Sequence, residues 1–187
     1  MNKKDFKIDD FLGEIKKAAE ELSSEVKNVM DEFKTERNRG FEVVIDKHRK
    51  FPNETIILPT RGSKYSAGYD LYSNETVTLQ PNESHVFWFD VKVYMRIGEV
   101  FEIYPRSSIS IKKNLILKNS VGIIDSDYYS NESNDGNMAS CFINIGTTPI
   151  TIEKGERISQ GIFKKFYEAD SGNTDKERTG GIGSSNK

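Results

Sequence analysis

Along the first forty residues, apolar side chains recur at Phe11, Ile15, Ala18, Leu22, Val26, Val29 and Phe33, at intervals of four, three, four, four, three and four. Those intervals place all of them on one stripe of an α-helix. The spacing repeats every eleven residues, the period of a nearly straight or slightly right-handed coil rather than a left-handed heptad coil. The segment has no proline and has glycine only at Gly13 and Gly40, so the helix can run unbroken and exit through Arg37, Asn38, Arg39 and Gly40. Such a stripe suits packing on the chain's own domain, self-association, or the gripping of a protein partner.

From Phe41 the period changes to two. Phe41–Ile45, Thr55–Leu58, Thr76–Leu79, His85–Phe89, Val91–Met95, Glu99–Tyr104, Ala139–Ile145 and Ile150–Ile152 are strand-like, and Arg157–Tyr167 is the last long strand. Turn signals separate them at Gln80–Glu83, Arg96–Gly98, Gly146–Pro149 and Glu153–Gly155. Many short strands at close intervals predict an all-β sandwich or barrel. The tail from Glu168 to Lys187 is rich in Gly, Ser, Thr, Asn and charge and holds too little apolar surface to build a core, so it reads as a flexible arm. The chain thus divides into a helical extension (1–40), a β domain (41–167) and a C-terminal arm (168–187).

Composition narrows the function. A length of 187 residues suits one domain with an appendage. With 30% charged residues balanced to a net charge of -2, no single-sign surface is left for a nucleic-acid backbone or a membrane. No apolar run approaches the ~18 residues of a membrane span, and the N-terminus lacks a leader pattern, so a soluble, cytoplasmic protein is expected. Cys141 is the only cysteine, and His48 and His85 are the only histidines. A zinc site of cysteine and histidine cannot be assembled from these, so any metal must be held by oxygen.

Five short segments carry the chemistry: Ala67–Leu71 (AGYDL), Pro105–Ser108 (PRSS), Asn119–Tyr128 (NSVGIIDSDY), Gly155–Gln160 (GERISQ) and Arg178–Ser185 (RTGGIGSS). In the third, a β-hairpin from Asn119 to Asp125 would expose amide and carbonyl groups able to imitate the hydrogen-bonding edge of adenine and so hold uracil. Cytosine would then leave buried polar groups unpaired, the kind of mismatch that discriminates strongly. The five segments in this order, over roughly residues 41–187, resemble the homotrimeric dUTP diphosphatase (dUTPase) family. The resemblance implies a distorted jelly roll (β-clip) that hydrolyses dUTP to dUMP and pyrophosphate.

It also implies roles. Asp125 resembles the general base that orients a water for in-line attack on the α-phosphorus. Asn119 and the hairpin backbone at Gly122, Ile123 and Ile124 would read uracil, excluding the thymine methyl, and Tyr128 would lie under the deoxyribose and exclude a 2'-hydroxyl. Arg106, Ser107, Ser108 and Gln160 would bind phosphate. Asp70 would steady Arg106 and organise the water shell of Mg²⁺, which needs few protein ligands. Arg178 with Ile182, Gly183, Ser184 and Ser185 would close over the nucleotide of a neighbouring subunit, so that catalysis needs the trimer. Arg157 reads as a structural partner at the subunit boundary, and Asp127 as a solvated turn residue.

Three features depart from the family pattern. A polar insertion, Asn131–Gly136, follows Tyr129–Ser130 and would lengthen a loop near the site. Ile182 stands where the family has a phenylalanine that stacks on uracil, which makes Met138 or Phe142 alternative lids. The stretch between Arg178 and Gly181 is one residue short. Two other functions compete. A dCTP deaminase would need an acid between Asn137 and Ile145, where none occurs and Cys141 stands near its place. A dUTP-sensing regulator would use the helical extension to bind a protein.

Overall fold

The computed structural model describes residues 8–35, 37–172, 174–176, 178, 180 and 181. Two compact units divide at Arg37 and Asn38. The first contains one helix, α1 (Ile8–Thr35), whose side chains are described from Leu12 to Val26. Along it Lys17 Nζ lies 3.9 Å from Glu21 Oε1, one turn on, an exposed pair of the kind that contributes only a few tenths of a kcal/mol, roughly 0.3.

The second unit is all-β and antiparallel. β1 (Gly40–Val43) pairs with β6 (Val91–Tyr94) and β4 (Val77–Leu79) with β11 (Ile150–Ile152). β5 (Ser84–Trp88), β10 (Ala139–Asn144) and β8 (Leu115–Leu117) form a three-stranded sheet in that order. A five-stranded sheet runs β2 (Thr60–Arg61), β3 (Tyr69–Tyr72), β12 (Arg157–Lys165), β7 (Glu99–Pro105) and β9 (Gly122–Asp125). Strand alternation fixes what each sheet buries. On β10, Ser140, Phe142 and Asn144 point inward while Ala139, Cys141 and Ile143 stay half-buried. On β7, Phe101 and Ile103 are buried and Glu102 and Tyr104 face out.

The core lies between these inner faces and includes Leu71, Phe87, Phe101, Ile103, Leu115, Leu117, Met138, Phe142 and Ile158. Phe101 meets Phe41 and Phe163 at centroid distances of 5.4 and 4.9 Å, and its ring lies directly on Gly161, where any Cβ would collide with it. The glycine lets the central strand carry an aromatic ring flat against its backbone. Ser140 on β10 and Ser159 on β12 share a buried hydroxyl hydrogen bond of 2.9 Å, which ties the two larger sheets together.

Three expectations change. Thr55–Leu58 forms no strand: Ile56 packs against the core, but Ile57 and Leu58 stay exposed and no ladder forms. The last strand stops at Lys165, short of exposed Tyr167. Residues 119–125 do not form a laddered hairpin, because β8 pairs with β10 and β9 with β7, in different sheets.

Candidate active site

The five-stranded sheet sets one group of side chains by register. On its outer face Thr60, Asp70, Gln160 and Tyr104 lie abreast on β2, β3, β12 and β7. Asp70 is 6% exposed, and both its oxygens are engaged: Oδ1 is 3.0 Å from Arg106 Nε and Oδ2 is 3.1 Å from Arg157 Nη1. Arg157 therefore shares the carboxylate with Arg106 in the same chain. Gln160 lies over Gly68, where an added Cβ would come within 2.7 Å of its Oε1. A larger residue at 68 would displace the amide that the phosphate reading needs.

Beyond Pro105 the chain turns sharply. The Arg106 amide donates to Ile158 O at 3.2 Å, and Arg106 O accepts from the amides of Ile109 and Ser110 at 3.0 and 3.1 Å. This anchors a short helical turn, Ser108–Lys112, capped by exposed Ser107. The first amides of such a turn have no carbonyl ahead of them within it and are suited to an anion. Ser110 Oγ in the same turn is buried without a partner, a feature that no local sequence signal marks.

A second group gathers around β9. Between β8 and β9 the chain reverses through Ser120 (φ 63°), with Val121 N donating to Asn119 O at 2.7 Å. Each arm is an edge strand of its own sheet, so each has one side free of the ladder, and the splay leaves main-chain donors and acceptors available where a closed hairpin would have used them. Asn119 is exposed and, with Lys118, Val86, Ala139 and Cys141, lines a cavity of about 300 Å³. The last three come from β5 and β10, far away in sequence, and the segment reading missed them. Gly122 packs against Ile103, its Cβ position 3.2 Å from Ile103 Cβ. Ile123 projects outward, 56% exposed, whereas the Ile124 side chain belongs to the core, so Ile124 has only its backbone to offer a base.

Asp125 ends β9 half-exposed. Its Oδ2 receives Arg178 Nη2 at 2.5 Å, and Asp127 Oδ1 receives Arg178 Nε at 2.8 Å. Asp125 closes β9 and Asp127 lies in the short helical turn Ser126–Tyr128, and both carboxylates reach the same guanidinium. Asp127 is thus half of a clamp on the arm rather than a solvated turn residue. The same guanidinium stands 5.7 Å from the centroid of Tyr128. Tyr128 is 5% exposed, donates to Asn137 O at 2.9 Å and accepts from Asn134 Nδ2 at 2.7 Å. Burial raises its pKa above the usual phenol value.

The polar insertion is folded. Asn131 Oδ1 accepts from Ser133 N, Ser133 Oγ and Asn134 N, and Asp135 forms a buried ion pair with Lys92 at 2.9 Å and accepts from Ile45 N at 2.8 Å. The insertion is a loop beside Tyr128, as expected, and its internal bonds make it a brace for that residue. Gly181 of the arm lies against Ser133 and Asn134. Met138 and Phe142 are fully buried and cannot serve as lids. Ile182, Gly183, Ser184 and Ser185 lie outside the described residues.

The two groups do not meet within one chain. Asp125 faces Val100 on β7, which faces Lys164 on β12, whereas Asp70 faces Gln160. Four residues along the strand and three strand spacings across put Asp70 and Asp125 about 20 Å apart. Among the described residues no three His, Cys, Asp or Glu side chains converge to hold a metal. Asp70 fits a role through water, since each carboxylate oxygen keeps a lone pair after accepting one guanidinium bond.

The family model described as dUTPase matches residues 54–186. The chain is 47% identical over 148 residues to the deoxyuridine 5'-triphosphate nucleotidohydrolase of Lactococcus lactis, covering 78% of this chain and 96% of that protein. It is 34% identical over 140 residues to the human mitochondrial enzyme of the same name, covering 72% and 52% respectively. A crystal structure of dUTPase from Streptococcus mutans superposes with a TM-score of 0.62 at 37% identity, covering 71% of this chain and 99% of that one. With a family model matched over residues 54–186 and 47% identity to a relative covered almost end to end, this chain belongs to the dUTPase family.

Proposed function

We propose that this dUTPase hydrolyses dUTP to dUMP and pyrophosphate at a site that joins the Asp70–Arg106–Gln160 end of one copy to the Asn119–Tyr128 end of another. The observation that carries the shared site is the strand register, which by ideal sheet spacing sets those ends about 20 Å apart in a single chain, too far for one nucleotide's base and phosphates to use both. A homotrimer supplies the second copy, and the arm of a third closes the site.

The edge of β9 that faces away from β7, at Gly122, Ile123 and Ile124, holds the uracil edge together with Asn119. Tyr128 has its hydroxyl engaged twice within the chain, so only its ring face serves the deoxyribose, and a 2'-hydroxyl would press on a ring that cannot retreat. The amides of Ser107 and Ser108, the Arg106 guanidinium and Gln160 hold the phosphates. Asp125 accepts a proton from water as the water oxygen bonds to the α-phosphorus. The bond from that phosphorus to the bridging oxygen breaks, and pyrophosphate leaves with the electron pair. Asp70, fixed by two arginines, would hold Mg²⁺ only through water, where the ion would be brought by the triphosphate. Mg²⁺, when bound, offsets the charge that develops on the phosphate oxygens. Arg178 exchanges its two aspartates for phosphate as the arm closes.

A deaminase is not favoured. Cys141 is half-buried on the outward face of β10, and no acid stands between Asn137 and Ile145 to move a proton at a cytosine ring. The test is pyrophosphate release from dUTP, dCTP, dTTP and UTP, with ammonia release from dCTP measured alongside. Pyrophosphate from dUTP alone is expected. Equal turnover of UTP would overturn the Tyr128 assignment, and ammonia from dCTP would overturn the activity.

A further inference from the structure

The apolar stripe of α1 carries a charge pattern that selects what covers it. Leu12, Ile15, Leu22 and Val26 are 56, 50, 62 and 52% exposed on a helix of 28 residues, about 42 Å long. A helix in water draws most of its stability from burying such a face, and Gly13 within it weakens the isolated element further. By helical phase, Glu14, Glu21 and Glu25 follow one flank of the stripe. Lys16 lies on the other flank, which Lys27 and Lys34 continue in sequence.

This asymmetry distinguishes the arrangements open to two or more such helices. An antiparallel pair sets like flank against like, glutamate on glutamate and lysine on lysine. In a parallel ring, the glutamate flank of each helix meets the lysine flank of the next. A rotation about a single axis, the symmetry of a cyclic trimer, relates helices in that same parallel sense. We propose that α1 joins α1 of other copies of this chain as a parallel, in-register coil with Ile15, Ala18, Leu22 and Val26 at its centre. Because the stripe repeats every eleven residues, the coil is nearly straight. The inference concerns a face that the catalytic reading does not use, and it needs from that reading only the presence of neighbouring copies.

The test uses the full-length chain. Leu22→Cys places a thiol at the proposed centre, and Ser24→Cys places one on the opposite face. The unaltered chain, with Cys141 alone, gives the baseline. Treatment with a short bis-maleimide is expected to link most L22C chains to one another and to leave S24C at baseline. Reversing Glu14, Glu21 and Glu25 to lysine in the L22C chain should reduce the linked fraction, and adding Lys16→Glu, Lys27→Glu and Lys34→Glu should restore it. That charge-swapped chain keeps the test decisive if the first reversal unfolds the helix. L22C linking no better than S24C overturns the coil, as does linking that ignores the reversal. Sedimentation of the same samples separates the two readings: assembled copies with an unlinked L22C overturn the coil and leave the shared site standing.

Discussion

The two ends of the five-stranded sheet treat a carboxylate in opposite ways. Asp70 is almost fully buried, and its arginine partners sit at the ends of β7 and β12, held by the same ladder that holds it. Asp125 is half-exposed, and its partner comes from the terminal arm. A charge pinned by two strands of its own sheet changes only when the sheet does. A charge pinned by an arm can be released and replaced. In the proposed mechanism, the end assigned to phosphate is therefore set by the sheet itself, whereas the end assigned to water activation is held by a side chain of the arm.

The sharpest way to break that contrast is Asp125→Asn. It is expected to lower kcat by about 10²–10⁴-fold while a non-hydrolysable dUTP analogue still binds in calorimetry; retained turnover would remove Asp125 from the mechanism. Arg106→Ala disables the other end but leaves Asp70 its bond to Arg157. Co-refolding R106A and D125N chains should regenerate intact sites in mixed trimers, about a quarter of all sites for an equal mixture. No recovery of pyrophosphate release would mean that each chain uses its own two ends.

Smaller effects are expected in stability. Asp135→Ala leaves the Lys92 ammonium buried without its carboxylate, which should cost about 3 kcal/mol, read as a fall in urea midpoint, and should loosen the brace on Tyr128. The smallest effect concerns Glu99, 5% exposed, whose pKa is lowered chiefly by its hydrogen bonds to Arg39. A depressed folded pKa gives stability that is present above the ordinary glutamate value and is lost as pH falls through the folded value. Because Arg39 is partly exposed, the contribution is about 1 kcal/mol. Glu99→Gln should be less stable at neutral pH and should lose less on acidification, as measured by thermal melts across the acid range.

The legible part of this fold was local. Alternation in Glu99–Tyr104 and Ala139–Ile145 marks strands because each has one face in the core and the other outside it. β2, β3 and β8 lie outside the strand-like runs: β2 has two residues and β8 is Leu-Ile-Leu, apolar at every position, so neither shows a period, and β9 enters only through the hairpin expected at 119–125. Thr55–Leu58 carries strand-like residues but finds no partner edge. The splay of residues 119–125 follows from which distant strand each arm pairs with, and no local pattern encodes that choice. In the candidate site, Asp70 beside Arg106 followed from the segments. The clamp of Asp125 and Asp127 on Arg178 did not, because Arg178 stands 53 and 51 residues further along the chain and no local pattern brings the arm back to β9.

The braced insertion carries a consequence for how this part of the surface can vary. Asn131, Asp135 and Gly136 are buried, Gly136 holds a left-handed backbone (φ 78°) with no room for a Cβ beside Tyr128 O, and only Glu132 and Ser133 are fully exposed. Surface excursions ordinarily drift freely in length and composition. This one tolerates a change of side chain at Glu132, whereas an added residue between Asn131 and Asn134 would pull apart the turn that Asn131 Oδ1 closes on Ser133 and Asn134.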